Sequence, residues 1–362
     1  MGNILRTYLL PGLIFQGVII GGGYATGREL VEFFLSSGPL GGILGMALSA
    51  LIWGVVMAVS FELCRLTRSY DYRNFFILLL GRYWFLYELL FVLTLTVSLA
   101  VIGSASGEII STSTGWPQIT GTFILLIVIG FLVFYGNTAI ERFMGFWSFV
   151  LYVTYLGLVI WCLINYFDVI TLHLDQSELD TSWIWNGIKY AGYNVAAVPA
   201  VFFSLRHIQN RQQAISAGLI GGFVAIIPAF LLFTALLVGY PSILDSDVPS
   251  TALLEQLELP WFNYVFQLVL IGTFIQTGVG LVHTVNERIS VTMSETKKTL
   301  PNYLRPLFAL LFLSTAMILA DTFGIVTLIA KGFGVLTYGF ILVFVVPTLT
   351  IGIRYILKNN TP

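Results

Sequence analysis

Two short runs in this 362-residue chain place chemically useful residues where regular helix should fail. The first is Gly21-Gly22-Gly23-Tyr24-Ala25-Thr26-Gly27. Glycine is a poor helix-interior residue, so three in succession favour local unwinding. The second is Gly192-Tyr193-Asn194-Val195-Ala196-Ala197-Val198-Pro199. Pro199 removes a backbone donor and disfavours helical geometry just before it. Where a helix breaks, its second half presents free N–H groups and a positive dipole end, and its first half presents free carbonyls. The first suits a carboxylate, and the second suits an ammonium group or a cation. Each run taken alone also fits a packing kink or a close-contact glycine face.

Ionisable residues flank these runs. Arg28 and Glu29 follow the first break directly, Lys189 precedes the second, and Glu108 lies between them in sequence. An ionisable group at membrane depth costs about 2.5–3.5 kcal/mol on insertion scales, which makes each a candidate gate or ion-pair member. Arg28 is four residues before Glu32, so an intrahelical pair is the competing reading for Arg28. His283 and Asn286 read as structural hydrogen-bond partners.

The elements that must position these residues are membrane helices. The chain is 57% hydrophobic and 10% charged, whereas a soluble domain carries about 25% charged residues. Too little charge is left to cover a water-facing surface. A spanning helix needs about 20 mostly apolar residues. Ten such spans are expected, at 9–35, 41–65, 83–112, 118–135, 143–166, 183–206, 213–239, 261–285, 304–320 and 333–356. A shorter apolar piece, 322–331, reads as a re-entrant or interfacial segment.

Loop charge sets the orientation. With the N-terminus cytoplasmic, all of the 17 basic residues except Arg28, Lys189 and Lys331 fall at cytoplasmic positions. The outer loops carry Asp168, Asp175, Glu178 and Asp180, then Asp245, Asp247, Glu255 and Glu258. Both termini are therefore expected in the cytoplasm. The chain reads as one transmembrane domain, 1–362, made of two five-helix halves, 9–166 and 183–356. An odd number of spans per half gives the halves opposite orientation. The two breaks then fall in the first helix of each half, the sequence pointer to the substrate site of an inverted-repeat transporter.

Other function classes find no support. The chain lacks the G-x-x-x-x-G-K-[ST], H-E-x-x-H and G-x-S-x-G patterns. Its three histidines, His173, His207 and His283, are scattered, and its two cysteines, Cys64 and Cys162, have no metal-ligand spacing. No enzyme activity and no nucleic-acid partner is expected, and the net charge of -1 agrees.

The five-plus-five arrangement and its paired breaks resemble the amino acid–polyamine–organocation superfamily, with its LeuT-type fold. The string Val18-Ile19-Ile20-Gly21-Gly22-Gly23-Tyr24-Ala25-Thr26-Gly27-Arg28-Glu29 is most similar to the YkvI-like membrane proteins. Val285-Asn286-Glu287-Arg288 and Ala330-Lys331-Gly332-Phe333-Gly334 share that similarity. The resemblance implies a substrate site between spans one, three, six and eight. In it Gly21, Gly22 and Gly23, with Tyr24 and Thr26, hold the substrate, facing Tyr193 and Asn194. Ser98, Ser104 and Ser106 come from span three. It also implies a sodium site between Ile19, Gly22, Thr273, Gln276 and Thr277, with proton coupling through a carboxylate as the alternative. The other reading for Thr273 and Thr277 is hydroxyls bonded back to their own helix. The expected function is cation-coupled symport of an amino acid or related small amine. The alternative is a ligand-sensing receptor of the same fold, and a monomer is the default state.

Overall fold

The structure, a computed structural model, describes residues 4–135, 137–295 and 304–359. Side chains are described for these except 22, 133–145, 148, 203, 260, 283–295, 304–310, 313, 320 and 321. The described residues form helices joined by short loops, with no strand among them. Each of the ten expected spans appears as helix. Spans two to five are Pro39–Thr67, Phe85–Thr114, Gln118–Tyr135 and Asn137–Asn165, and spans seven to nine are Arg211–Leu236, Pro260–Glu295 and Leu304–Thr327.

Spans one and six are broken, as their glycine and proline runs require. Span one is helical over Leu10–Ile19, stops at Ile20, and resumes as the turn Gly22–Ala25 and the short helix Arg28–Phe33. Between them Gly27 has φ of +79°, a left-handed conformation that glycine adopts without strain. Span six is helical over Ser182–Asn194, then tightens into a 3₁₀ run over Val195–His207 that contains Pro199. Runs of that type are rarely longer than three or four residues. Pro199 sits within it and cannot donate a backbone bond.

The short segment expected at 322–331 is not a separate element. The chain turns at Gly324, whose φ of +67° ends span nine, and helix then continues from 325 to Asn359 as span ten. Residues 325–331 therefore extend the last span instead of re-entering the membrane.

Span two is the post against which spans six and seven are set. Its small residues let backbones approach closely, as membrane helices need in the absence of a hydrophobic drive between them. A side chain added at Gly222 of span seven would collide with the backbone of Ala50 and Gly54. One added at Gly187 of span six would lie 2.8 Å from the Gly45 carbonyl oxygen. Two hydrogen bonds fix span six there. Ser49 Oγ donates to the Gly187 carbonyl at 2.9 Å, and Trp53 Nε1 donates to the Ala191 carbonyl at 3.1 Å. The first half of span one rests on span seven, where Gly12 meets Gly221.

Five helices among the described residues are long and apolar enough to cross a membrane unbroken. Spans one and six fall outside that group because they are interrupted. The outward faces are apolar, with Phe149, Ile164, Leu268, Val335 and Leu342 all exposed. A hydrophobic exterior around a packed interior is what lipid as solvent requires.

Candidate functional site

The two breaks face each other across an internal cavity of about 60 Å³. Span one contributes Val18, Ile19, Gly21, Gly23 and Glu29, and span six contributes Tyr193, Asn194, Ala196 and Ala197. Phe91, Thr94, Ser98 and Val101 come from span three, Thr277 and Leu281 from span eight, and Phe333 from span ten. A cavity of this volume holds a few water-sized groups.

At the first break the chain turns tightly. The Gly21 N–H donates to the Ile19 carbonyl at 2.8 Å, and the Ala25 N–H donates to the Gly21 carbonyl at 2.8 Å. Thr26 Oγ1 donates to the Gly23 carbonyl at 3.0 Å. Thr277 Oγ1 donates to the Ile20 carbonyl at 3.0 Å, so span eight satisfies the group that the break frees. At the second break the Asn194 side chain donates to the Tyr190 carbonyl at 3.0 Å.

Glu29 brings the one carboxyl group to the cavity. It is buried, with 4% of its surface exposed. The Tyr193 hydroxyl donates a short hydrogen bond to Glu29 Oε2. Tyr193 is held in turn by Phe333, whose ring lies parallel to it with centroids 4.4 Å apart. Phe33 packs on its other side at 5.7 Å. Glu29, expected as a gate or ion-pair member, lines the cavity and belongs to neither ion pair among the described residues.

Arg28 points away. Its Nη1 donates to the Leu244 carbonyl at 2.8 Å and the Ser246 carbonyl at 3.0 Å, and its Nη2 pairs with Glu32 at 3.2 Å. The Ser250 N–H adds a bond to the Thr26 carbonyl at 2.9 Å. The loop after span seven is thus bonded to the second half of span one. Arg28 therefore has its intrahelical partner and is also bonded to this loop.

Other expected members lie elsewhere. Glu108 accepts from Gln118 and Thr112, and lines a separate outer cavity of about 210 Å³ with Ser246, Asp247, Thr251, Glu255 and Gln267. It meets neither Arg28 nor Lys189. Lys189 makes no ion pair among the described residues, and its backbone carbonyl accepts from Thr337. Ser104 does not line the cavity, and Ser106 bonds across to Gly121 of span four. Tyr24 is fully buried behind the break instead of facing the cavity. Thr273 bonds back to Val269 of its own helix at 2.8 Å, so Thr277 alone of that pair reaches the break. Gln276 is buried on the same helix but does not line the cavity. Gly22 belongs to the turn Gly22–Ala25. The side chains of His283 and Asn286 lie outside the described residues.

Sequence reasoning missed Phe91, Thr94, Val101 and Phe333. A signal existed for Phe333, which sits between Gly332 and Gly334, and Gly332 packs against Val97 of span three. The others carry no local signal, because nothing in an apolar helix marks which stripe faces a cavity.

No family model matches the chain. Over 290 residues, 76% of this chain and 79% of its relative, it is 24% identical to the uncharacterized membrane protein YkvI of Bacillus subtilis (strain 168). Its fold is that of solved transporters. The manganese transporter of Eremococcus coleocola, solved with an aromatic bis-isothiourea substituted compound, superposes with a TM-score of 0.60 at 13% identity. That match covers 96% of this chain and 78% of that one. MhsT in complex with L-phenylalanine superposes with a TM-score of 0.59 at 15% identity, covering 97% of each chain. The protein is accordingly a polytopic all-α membrane protein of LeuT-type fold, and its resemblance to YkvI-like proteins holds in sequence.

Proposed function

We propose that this protein is a secondary active transporter that carries an amino acid or related small amine by alternating access, coupled to a cation. The single observation behind this reading is the cavity enclosed between the two helix breaks, with its one carboxylate at Glu29. Irregular backbone survives at membrane depth only where it faces protein or a wet cavity. Paired breaks in two halves of a transporter mark its substrate site. The latch from Arg28 supports a site closed on one side.

The chemistry of the cavity favours an organic amine over a divalent metal. Its polar groups are hydroxyls, one amide, backbone and one carboxylate. Divalent cations take several carboxylate, imidazole or thiolate donors at once. Among the described residues no group of three or more His, Cys, Asp or Glu could hold a metal ion. For sodium the donors nearest the break are the Ile20 carbonyl and Thr277, already bonded to each other. The loop charges support a cell-membrane protein with both termini cytoplasmic.

A thermal-shift screen of the purified chain against amino acids and amines, with and without sodium at two pH values, tests the reading. A ligand at a hundredfold excess over Kd stabilises by about 2.7 kcal/mol. A hit that is also taken up by proteoliposomes is the expected result. Binding without flux would favour a receptor, and a panel with no hit would sink the amine assignment.

A further inference from the structure

We infer that Glu29 is the proton-carrying group of the transport cycle: its carboxyl holds a proton while the cavity is empty and releases it when the ammonium group of a substrate takes its place. The inference rests on the transporter reading above and deepens it by naming the coupling ion and the substrate group that answers it.

The geometry is that of a buried acid with no counter-charge. The two ion pairs among the described residues are Arg28–Glu32 and Arg65–Glu62, and neither involves Glu29. Arg28, its neighbour in sequence, is committed to the Leu244 and Ser246 carbonyls on the far side of the helix. The groups that face Glu29 are uncharged: three phenols and the backbone N–H of Tyr24, which donates to its carboxyl. Tyr193 and Tyr190 come from span six, and Tyr24 comes from the break. The hydroxyls of Tyr24 and Tyr190 are buried and have no hydrogen-bond partner. The other charged groups on elements packed against the second half of span one are Lys189, Lys331 and Asp245. Lys189 is half-buried on span six, takes no part in either ion pair and does not line the cavity. Lys331 is exposed, and Asp245 stands beside the carbonyls that hold Arg28.

An ionised carboxylate that has hydrogen-bond donors but no counter-charge in such a place still costs several kcal/mol, and a buried charge persists only when paired. Two states of Glu29 avoid that cost. In one the carboxyl is neutral and its O–H is intact. In the other the carboxylate faces a bound ammonium group. Passing from the first to the second, the carboxyl O–H bond breaks, its proton goes to water at the cavity mouth, and an N–H···O bond forms to the substrate. No electron pair leaves the oxygen, and the charge inside the cavity is unchanged. The two cations exclude each other, so one proton is exchanged for one amine. No fixed cation lines the cavity to receive a substrate carboxylate. Specificity therefore resides in the amine.

Infrared difference spectroscopy on the ligand-free full chain, between about pH 5 and about pH 9, reads this carboxyl directly. Wild type should show a protonated-carboxyl C=O band at neutral pH that Glu29→Gln lacks and Glu29→Asp retains. Calorimetry with methylammonium, repeated in buffers of low and high ionisation heat, should show one proton released per ligand bound. Apparent affinity should rise about tenfold per pH unit while proton and ligand compete. Identical spectra for wild type and Glu29→Gln would overturn the proposal whatever binds, as would methylammonium binding with no proton release. If the band difference is present and neither methylammonium nor any amino acid binds, the amine reading fails and the exchange fails with it, while Glu29 remains a titrating group.

Discussion

The hydroxyl of Tyr193 donates to the carboxylate of Glu29, and this bond ties span six to span one at the point where both helices are interrupted. The residues are 164 positions apart, and each comes from a different half of the chain. The rings of Phe33 and Phe333 hold the tyrosine in place, so the donor is aimed before any ligand arrives. Hydrogen bonds to charged groups are worth about 1.5–3 kcal/mol. Tyr193→Phe keeps the ring stack and removes only the donor. It should weaken amine binding by about tenfold, or ~1.4 kcal/mol, and leave insertion and folding intact. Calorimetry on the variant would check this, and unchanged affinity would remove Tyr193 from the site.

The glycines of the first break are not equivalent. A methyl group at Gly23 would meet Glu29 Cγ at 2.9 Å and Ile329 Cδ1 at 2.9 Å, displacing the carboxylate from Tyr193. At Gly21 the same methyl would sit 3.6 Å from Thr277 Cγ2, an ordinary contact. Gly23→Ala should therefore cost at least about tenfold in affinity, while Gly21→Ala stays within about threefold. Both keep span one apolar, so expression in the membrane should not separate them. If the two variants bound a verified ligand equally, the steric argument would be wrong.

These two glycines also show what could be read in advance. Three successive glycines and Pro199 disclose the breaks, because each acts through its own backbone. The direction in which Glu29 points is not legible, since adjacency alone groups it with Arg28. Gly27 turns the chain through a left-handed conformation between Ala25 and Arg28, which resets the helical phase. Counting residues across that turn as one helix assigns the wrong face. Glu108 was misread for a different reason. Its partner Gln118 lies just across the turn to span four, and hydropathy gives no sign that a polar pair closes there. The extension of span ten back to 325 hinges on the single residue Gly324, one glycine among the 35 of the chain.

Thr277 and Thr273 share a helix face and have different jobs. Thr277 satisfies the Ile20 carbonyl at the break, and Thr273 satisfies Val269 of its own helix, whose carbonyl also accepts from Trp147 Nε1. Thr277→Val is isosteric and leaves a buried carbonyl without that donor, at a cost of about 1–3 kcal/mol. Thr273→Val should cost less than about 1 kcal/mol, since Val269 keeps its other donor. Thermal unfolding of the two variants would rank them. The reverse order would mean that the break draws no support from span eight. A sodium response lost in Thr277→Val alone would place a cation at Ile20 after all.

Arg28 supplies the test of closure. Its guanidinium reaches two carbonyls of the loop after span seven, and beneath that loop Ser250 is wholly buried with its N–H on the Thr26 carbonyl. Opening this side requires those bonds to break together. A planar guanidinium spans two acceptors in a way that a lysine ammonium does not reproduce. Glu32 is more exposed, and an i,i+4 pair of that kind is worth only about 0.3–0.5 kcal/mol. With a cysteine introduced at Ser250, Arg28→Ala and Arg28→Lys should speed labelling by a thiol reagent about tenfold, while Glu32→Gln changes it by less than about threefold. Cys64 and Cys162 are buried and contribute a slow background that the unmodified chain measures. Fast labelling in Glu32→Gln would shift the latch to the ion pair. Equal labelling in all variants would show that the loop is held by its packing and that Arg28 has no part in closing the site.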